Sequence, residues 1–343
     1  MHIPENYLSP VTAAVMTGVM VPVWGIAIKK VRTDLTAEKV TKIGIGAAFS
    51  FVGMMFNIPI PGGTTGHAVG GTLISVLLGP YAACLAVTVA LLLQAVLFGD
   101  GGILALGANC FNMAFVMPFV GYAVTLLMSK ILGKGKSGKD RKLSSEIISI
   151  AIGSYAGINA AALMASIEFG IQPMLFKDSA GQALYCPYGL SVSIPAMMAA
   201  HLTVAGLAEV IFTVLIYSFI RKTTMDMPMA YMEKDGQLSV SEDGKKKFDK
   251  SVILLALLII LTPLGLLAEG TAWGEWGVEE IAETGAGFTP KGMLEGFNFE
   301  ALMPDYSMSG VPDIMAYILS AVIGVALLII FFKLASLTHK KAV

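Results

Sequence analysis

YAACLAVTVALLLQAVLF, residues 81–98, contains no charged side chain. As a helix rising 1.5 Å per residue it would be about 27 Å long, close to the hydrocarbon thickness of a bilayer. A surface helix of a soluble protein needs a polar face, and this stretch has none. Reading outward from it, runs of similar character give nine candidate segments: 11–28, 40–57, 68–79, 81–98, 107–129, 146–167, 199–220, 252–268 and 314–332. The third is short and opens on Val69-Gly70-Gly71, so it is expected to be tilted, broken or only partly inserted. Gly79-Pro80 separates it from the fourth. The totals agree: 55% of residues are apolar, 14% are charged, and mean hydropathy is +0.75. Soluble domains carry about a quarter charged residues. The expected fold class is an all-α polytopic membrane protein.

The basic residues orient the segments, because Lys and Arg collect in cytoplasmic loops. With residue 1 outside and one crossing per segment, the cytoplasmic side holds every Lys and Arg except Lys177 and Lys291, 21 of the 23. The expected topology is therefore N-out and C-in. The linker 222–250 is polar, ending in KKKFDK at 245–250. It divides a seven-segment core, 1–221, from a two-helix C-terminal unit, 251–343. The outer loops are then 58–67, the glycine turn 98–106, the loop 168–198 and a strongly acidic loop, 269–313. That last loop reads as solvated and not as a direct metal ligand. Trp273 and Trp276 within it read as anchors at the membrane surface. Cys84, Cys110 and Cys186 form no CxxC pair and are odd in number, which argues against a disulfide framework or a thiolate site.

No cleavable signal is visible. MHIPENYLSP, residues 1–10, has no basic residue ahead of the first apolar run, so an exported, retained N-terminus is expected. That makes Met1-His2 a candidate chelate. A free amine followed by His offers three nitrogens: amine, deprotonated backbone amide and imidazole. His67, in the glycine-rich turn IPIPGGTTGH at 58–67, falls on the same side and offers a fourth. Four nitrogens including an amidate favour a square-planar ion, Ni(II) or Cu(II), and tolerate Co(II). On spacing alone, His2 reads first as an ordinary solvated residue.

Several stretches together resemble the substrate-capture subunit of energy-coupling-factor nickel/cobalt transporters, the CbiM/NikM family. They are MHIPENYLSP, PIPGGTTGHAVGGTL, QAVLFGDGGILALGANCFNMA and HLTVAGLAE, in the family's order over residues 1–221. The resemblance implies that Met1, His2 and His67 hold the metal. It also implies a transmembrane coupling subunit and cytoplasmic ATPases as partners, in the cell membrane of a prokaryote. The transported ion would be Co2+ or Ni2+, with cobalt serving cobalamin synthesis, and there would be no cofactor. TPLGLLAEGTAWGEWG, 262–277, with the acidic loop and last helix, is similar to the family's small two-helix accessory subunit, fused here to the core.

Other polar residues have two readings. Gln94, Asp100, Asn109 and Asn112 flank the 98–106 turn and either orient the imidazoles or bind helices to one another. His201 lies toward the outer end of its segment and is a candidate to support the site. Glu209 is deeper and is expected to hydrogen-bond a neighbouring helix, with Asn159 a candidate partner. His339, in a basic tail, reads as solvated. The small residues at 160–162 are a candidate docking face for partners. GKGKSGKD, 133–140, nearly matches a P-loop, but Asp140 stands where Ser or Thr should hold Mg2+, and no strand precedes it. The chain is therefore not expected to hydrolyse ATP. The competing classes are a membrane metalloenzyme using the same histidines, and a gradient-driven permease with Glu209 as proton relay.

Overall fold

The computed structural model describes residues 1–33, 36–132, 143–223 and 250–340. The basic stretch 133–140 and the linker over 224–249 lie outside the described residues, as does the side chain of His339. Among the described residues, seven helical stretches are long and apolar enough to cross a membrane: Pro10–Arg32, Pro80–Phe98, Leu106–Leu132, Leu143–Leu175, Leu190–Lys222, Lys250–Leu267 and Asp313–Ala335. The all-α polytopic reading holds.

We name the elements in chain order. Helix α1 is Pro10–Arg32, capped by Ser9, whose hydroxyl accepts the Thr12 N–H. Helix α2, Ala37–Met54, is membrane-length, but Glu38, Lys39 and Lys42 make its first turns charged. A short antiparallel hairpin follows, β1 Ile58–Ile60 with β2 Thr64–Gly66. Helix α3 is only Gly71–Leu78, and α4 is Pro80–Leu93. Helices α5, Leu106–Asn109, and α6, Met117–Leu132, form one continuous stretch, and α7 is Leu143–Leu175. Helices α8, Leu190–Ala200, and α9, Gly206–Thr223, form another. In the C-terminal unit are α10, Lys250–Leu261, the single turn α11, Lys291–Leu294, and α12, Asp313–Lys340.

The third expected segment is short, as its glycines imply, but its count as one full crossing is corrected here. Helix α3 has 8 residues and is about 12 Å long, too short to span. Gly70 at φ 73° and Gly79 at φ 88° bound it, in left-handed backbone that glycine adopts without steric cost. It runs back beside α2: the Ser50 hydroxyl donates to the Val69 carbonyl, and a Cβ on Gly46 would meet Ile74 and Leu78. Helix α4 then returns, bringing Phe98 to 5.6 Å from Phe51. The pair goes in and comes back, so the alternation of later segments survives. The loop expected at 168–198 is also shorter than read. Helix α7 continues through Pro173 to Leu175, and α8 begins at Leu190.

Backbones pack closely where glycine permits it. A Cβ on Gly121 would fall 2.1 Å from Thr72 Oγ1, and one on Gly153 would fall 2.0 Å from Thr125 Oγ1. These contacts tie α3, α6 and α7 together in the manner of small-residue membrane interfaces. Ala161 and Ala162 are taken up in the same core, so the alanine run does not serve as an external docking face. The C-terminal unit is packed on the core. Gly44 faces Phe332, Gly324 faces Phe51, and the Tyr317 hydroxyl donates to the Met55 carbonyl at 2.9 Å.

Candidate metal centre

The first ten residues are threaded into the protein. The Asn109 amide makes a reciprocal pair with Ile3: its Oδ1 accepts the Ile3 N–H at 2.7 Å and its Nδ2 donates to the Ile3 carbonyl at 3.1 Å. The Gly102 N–H donates to that same carbonyl at 2.8 Å. Glu5 accepts the N–H groups of Ile103 at 2.6 Å and Leu104 at 3.2 Å. Burial raises the Glu5 carboxyl above its ordinary value, and these N–H groups offset part of that rise. The chain can lie so close because residue 102 is glycine; a Cβ there would sit 2.7 Å from the Glu5 nitrogen. Farther on, the Cys186 N–H donates to the Tyr7 carbonyl, and the Ser9 N–H to Gln172 Oε1.

His67 follows β2. Gly62 and Gly63, both at positive φ, turn the hairpin. The segment after it is pinned by Glu209, whose carboxylate accepts the Val69 N–H at 2.8 Å and the Gly70 N–H at 3.0 Å. This corrects the expected partner of Glu209. Asn159 instead donates to the Tyr155 carbonyl of its own helix. The negative group at the start of α3 also suits that helix end.

These two supports bring the histidines together. The rings of His2 and His67 stack at 4.9 Å between centroids, 28° from parallel. Both residues are buried, at 2% and 6% exposed. His2 Nδ1 donates to Asp100 Oδ1 at 2.9 Å, and His67 Nδ1 donates to the Ala68 carbonyl at 3.3 Å. In both rings Nε2 is buried and has no hydrogen-bond partner among the described residues. Two orphaned ring nitrogens side by side require an explanation, since buried polar atoms are normally satisfied. The Met1 α-amino nitrogen lies beside them, 2.5 Å from Glu275 Oε1. A ligand atom from each of His2, His67 and Glu275 falls within 4.8 Å of the others. All face a cavity of about 340 Å3, which Asp100, Thr271 and Tyr306 also line.

The electrostatics favour lone pairs. Burial, then the nearby Met1 amine and His2, hold the His67 pKa well below its ordinary value, so the ring stays neutral. Burial alone would raise Asp100, but the adjacent His2, the Tyr306 hydroxyl and His67 outweigh it and hold the carboxyl well below the usual carboxylate range. Asp100 Oδ2 accepts Gln94 Nε2 at 3.0 Å and the Tyr306 hydroxyl at 2.5 Å. A carboxylate fixed this way fixes the imidazole it touches. Asp100→Asn is expected to slow Ni2+ binding by about 10-fold without unfolding the protein. Stopped-flow mixing of the purified chain with Ni2+ measures this.

The other expected residues divide. Gln94 acts on Asp100, and Asn109 acts on the Ile3 backbone. Asn112 does not reach either histidine; its Nδ2 donates to Glu168 Oε2 at 2.8 Å. His201 Nδ1 donates to the Met197 carbonyl one turn back in its own helix. Gln94, Asn112 and His201 each lie in a π-helical turn: Gln94–Phe98, Cys110–Val116 and His201–Ala205. Such turns often accompany functional sites. Glu5, Glu275 and Tyr306 were not singled out by sequence. For Glu275 the signal was its place between two tryptophans. Trp273 and Trp276 are not isolated surface anchors. They pack on each other at 5.5 Å and on Tyr188, and Trp273 also meets Phe169. This aromatic cluster holds Glu275 at the site.

Fold and site together define a polytopic membrane protein with a nitrogen-rich pocket at one end of its helical bundle. The chain belongs to the CbiM family, described as the cobalt uptake substrate-specific transmembrane region, which its residues 2–227 match. Residues 250–341 match the PDGLE domain. Over 341 residues it is 47% identical to the probable fused nickel transport protein LarMN of Lactiplantibacillus plantarum, covering 97% of each chain. It is 43% identical to the fused nickel transport protein NikMN of Rhodobacter capsulatus, covering 96% of this chain and 95% of that one. A solved structure described as a truncated transition metal transporter is 54% identical, with a TM-score of 0.59, over 65% of this chain and 99% of the other.

Proposed function

We propose that this chain is the metal-capturing membrane subunit of a nickel or cobalt importer. Met1, through its α-amine, His2, through its backbone nitrogen and imidazole, and His67, through Nε2, hold the ion. The observation that carries the reading is the buried, unpartnered Nε2 of His67, on a ring stacked against His2 and close to the Met1 amine. Among the described residues no hydrogen bond takes up the His2 backbone N–H, which leaves that nitrogen free to ligate. The relatives that match over nearly the whole chain are named for nickel, which favours Ni2+, as does a planar set of four nitrogens.

The segregation of Lys and Arg supports a site facing outward, with the ion released to the cytoplasm. The energy comes from partners: a transmembrane coupling subunit and cytoplasmic ATPases, as the family resemblance implies. Residues 1–221 form the capture core and 251–343 the accessory unit, joined by the linker 222–250. Titration of the purified chain with Ni2+, followed by absorption, tests the reading. A planar, diamagnetic Ni2+ complex at one ion per chain is expected. Absence of saturable binding would sink it.

The permease reading places a proton relay at Glu209. Its carboxylate is engaged by the Val69 and Gly70 N–H groups and by Thr213, as a structural support. Glu209→Gln keeps an acceptor oxygen there. It is expected to cost about 1–3 kcal/mol of stability and to leave Ni2+ uptake running. Lost uptake with intact Ni2+ binding would favour the relay instead.

A further inference from the structure

We propose that the pocket contains a second, distinct ligand set, His2 Nε2, His67 Nε2 and the Glu275 carboxylate, which takes the arriving divalent ion before the Met1-His2 chelate closes. This rests on the capture reading above and adds an entry step to it. The geometry carries the argument. To chelate through its own backbone nitrogen, His2 must use Nδ1, the only ring nitrogen close enough to close a small ring. In the structure that nitrogen is committed to Asp100. The nitrogen it presents to the pocket is Nε2, buried and without a partner among the described residues. A carboxylate on Nδ1 with the ion on Nε2 is the common arrangement of metal-binding histidines. The Asp100 contact, itself fixed by Gln94 and Tyr306, therefore prepares His2 for a ligand set other than the chelate.

Glu275 completes that set. One ligand atom from each of the three residues already lies within 4.8 Å of the others. Three ligands spread evenly about 2.1 Å from one ion are about 3.6 Å apart, so a contraction of about an ångström closes the set on an ion. The three ligands leave positions for the water an arriving ion still carries. Glu275 Oε1 also touches the Met1 nitrogen at 2.5 Å. Transfer to the chelate is thus a local exchange: the Met1 ammonium gives a proton to Glu275, whose oxygen leaves the ion as the freed amine takes its place. The His2 ring gives its Nδ1 proton to Asp100, turns about its Cβ–Cγ bond and passes the ion from Nε2 to Nδ1, and the His2 backbone N–H gives its proton to water. Because the first set mixes imidazole and carboxylate, it accepts several first-row ions, and discrimination falls to the all-nitrogen set.

Stopped-flow mixing of the full chain with Ni2+ alone tests the proposal. The wild type should show two phases: a fast, concentration-dependent one yielding a paramagnetic ion, then a slower one yielding the planar, diamagnetic complex. Glu275→Gln should lose the first phase and load at least about tenfold more slowly, reaching the planar spectrum in a single step. The chain acetylated on the Met1 amine should keep the first phase and never convert. An unchanged loading rate in Glu275→Gln overturns the proposal. So does an acetylated chain that binds no Ni2+ at all while the wild type does; that result leaves the chelate reading intact. An acetylated chain that still forms the planar complex defeats the capture reading itself.

Discussion

Acetylation of the Met1 α-amine is expected to lower Ni2+ affinity at equilibrium by at least about 100-fold. Groups that merely support a metal ligand are worth about 10–100-fold, and the amine is proposed as a ligand. An acetylated nitrogen has no lone pair for the ion, so the chelate loses the arm that makes His2 more than a single imidazole. The slot is also closed around it: Met1 is buried and its nitrogen lies against Glu275. Mass spectrometry confirms the modification and isothermal titration measures the loss. Affinity within a fewfold of the free-amine chain would exclude the amine as a ligand.

His67→Ala should have an effect of the same size for a different reason. It removes the unpartnered Nε2 of the ring stacked on His2, while the backbone around it stays held. The Ser50 hydroxyl and the Glu209 carboxylate grip residues 69 and 70, and the β1–β2 hairpin enters from the other side. Loss of function without loss of fold is therefore expected: affinity down by at least about 100-fold, with little change in thermal unfolding. Uptake of radioactive nickel into cells expressing the variant should fall to background. Normal uptake at low external nickel would remove His67 from the ligand set.

How far the sequence could be read depended on how local the determining chemistry was. The long helices are legible because a stretch such as 81–98 excludes charge over a bilayer's thickness, and no distant partner is needed to see that. The short α3 is not legible in the same way. Its limits are set by left-handed Gly70 and Gly79 and by a carboxylate from α9, far along the chain. Asn159 was a reasonable partner for Glu209 by depth in the membrane. The competing backbone N–H groups at 69 and 70 could not be placed without the re-entrant turn. At the site, His2 and His67 stand out because histidine is scarce, and the glycines near them permit close approach. Tyr306 carries no such mark, and Glu275 only its place between two tryptophans. One is an acid in a strongly acidic loop, the other a tyrosine in an irregular stretch, and only tertiary packing brings them to Asp100 and Met1.

The threaded N-terminal segment has a consequence for the timing of synthesis. Ser9 is fixed by Gln172, Met1 by Glu275 and Asn6 by Phe297, partners 163, 274 and 291 residues downstream. Domains assembled from the N-terminus settle as they are made. Residues 1–9 cannot settle this way, because their seats include residues as late as Glu275 and Phe297. They must wait while the later helices are inserted. A chain whose synthesis stops before the last helices would present an unfinished pocket. The pocket around His2 and His67 is thus assembled late, after the helices that frame it.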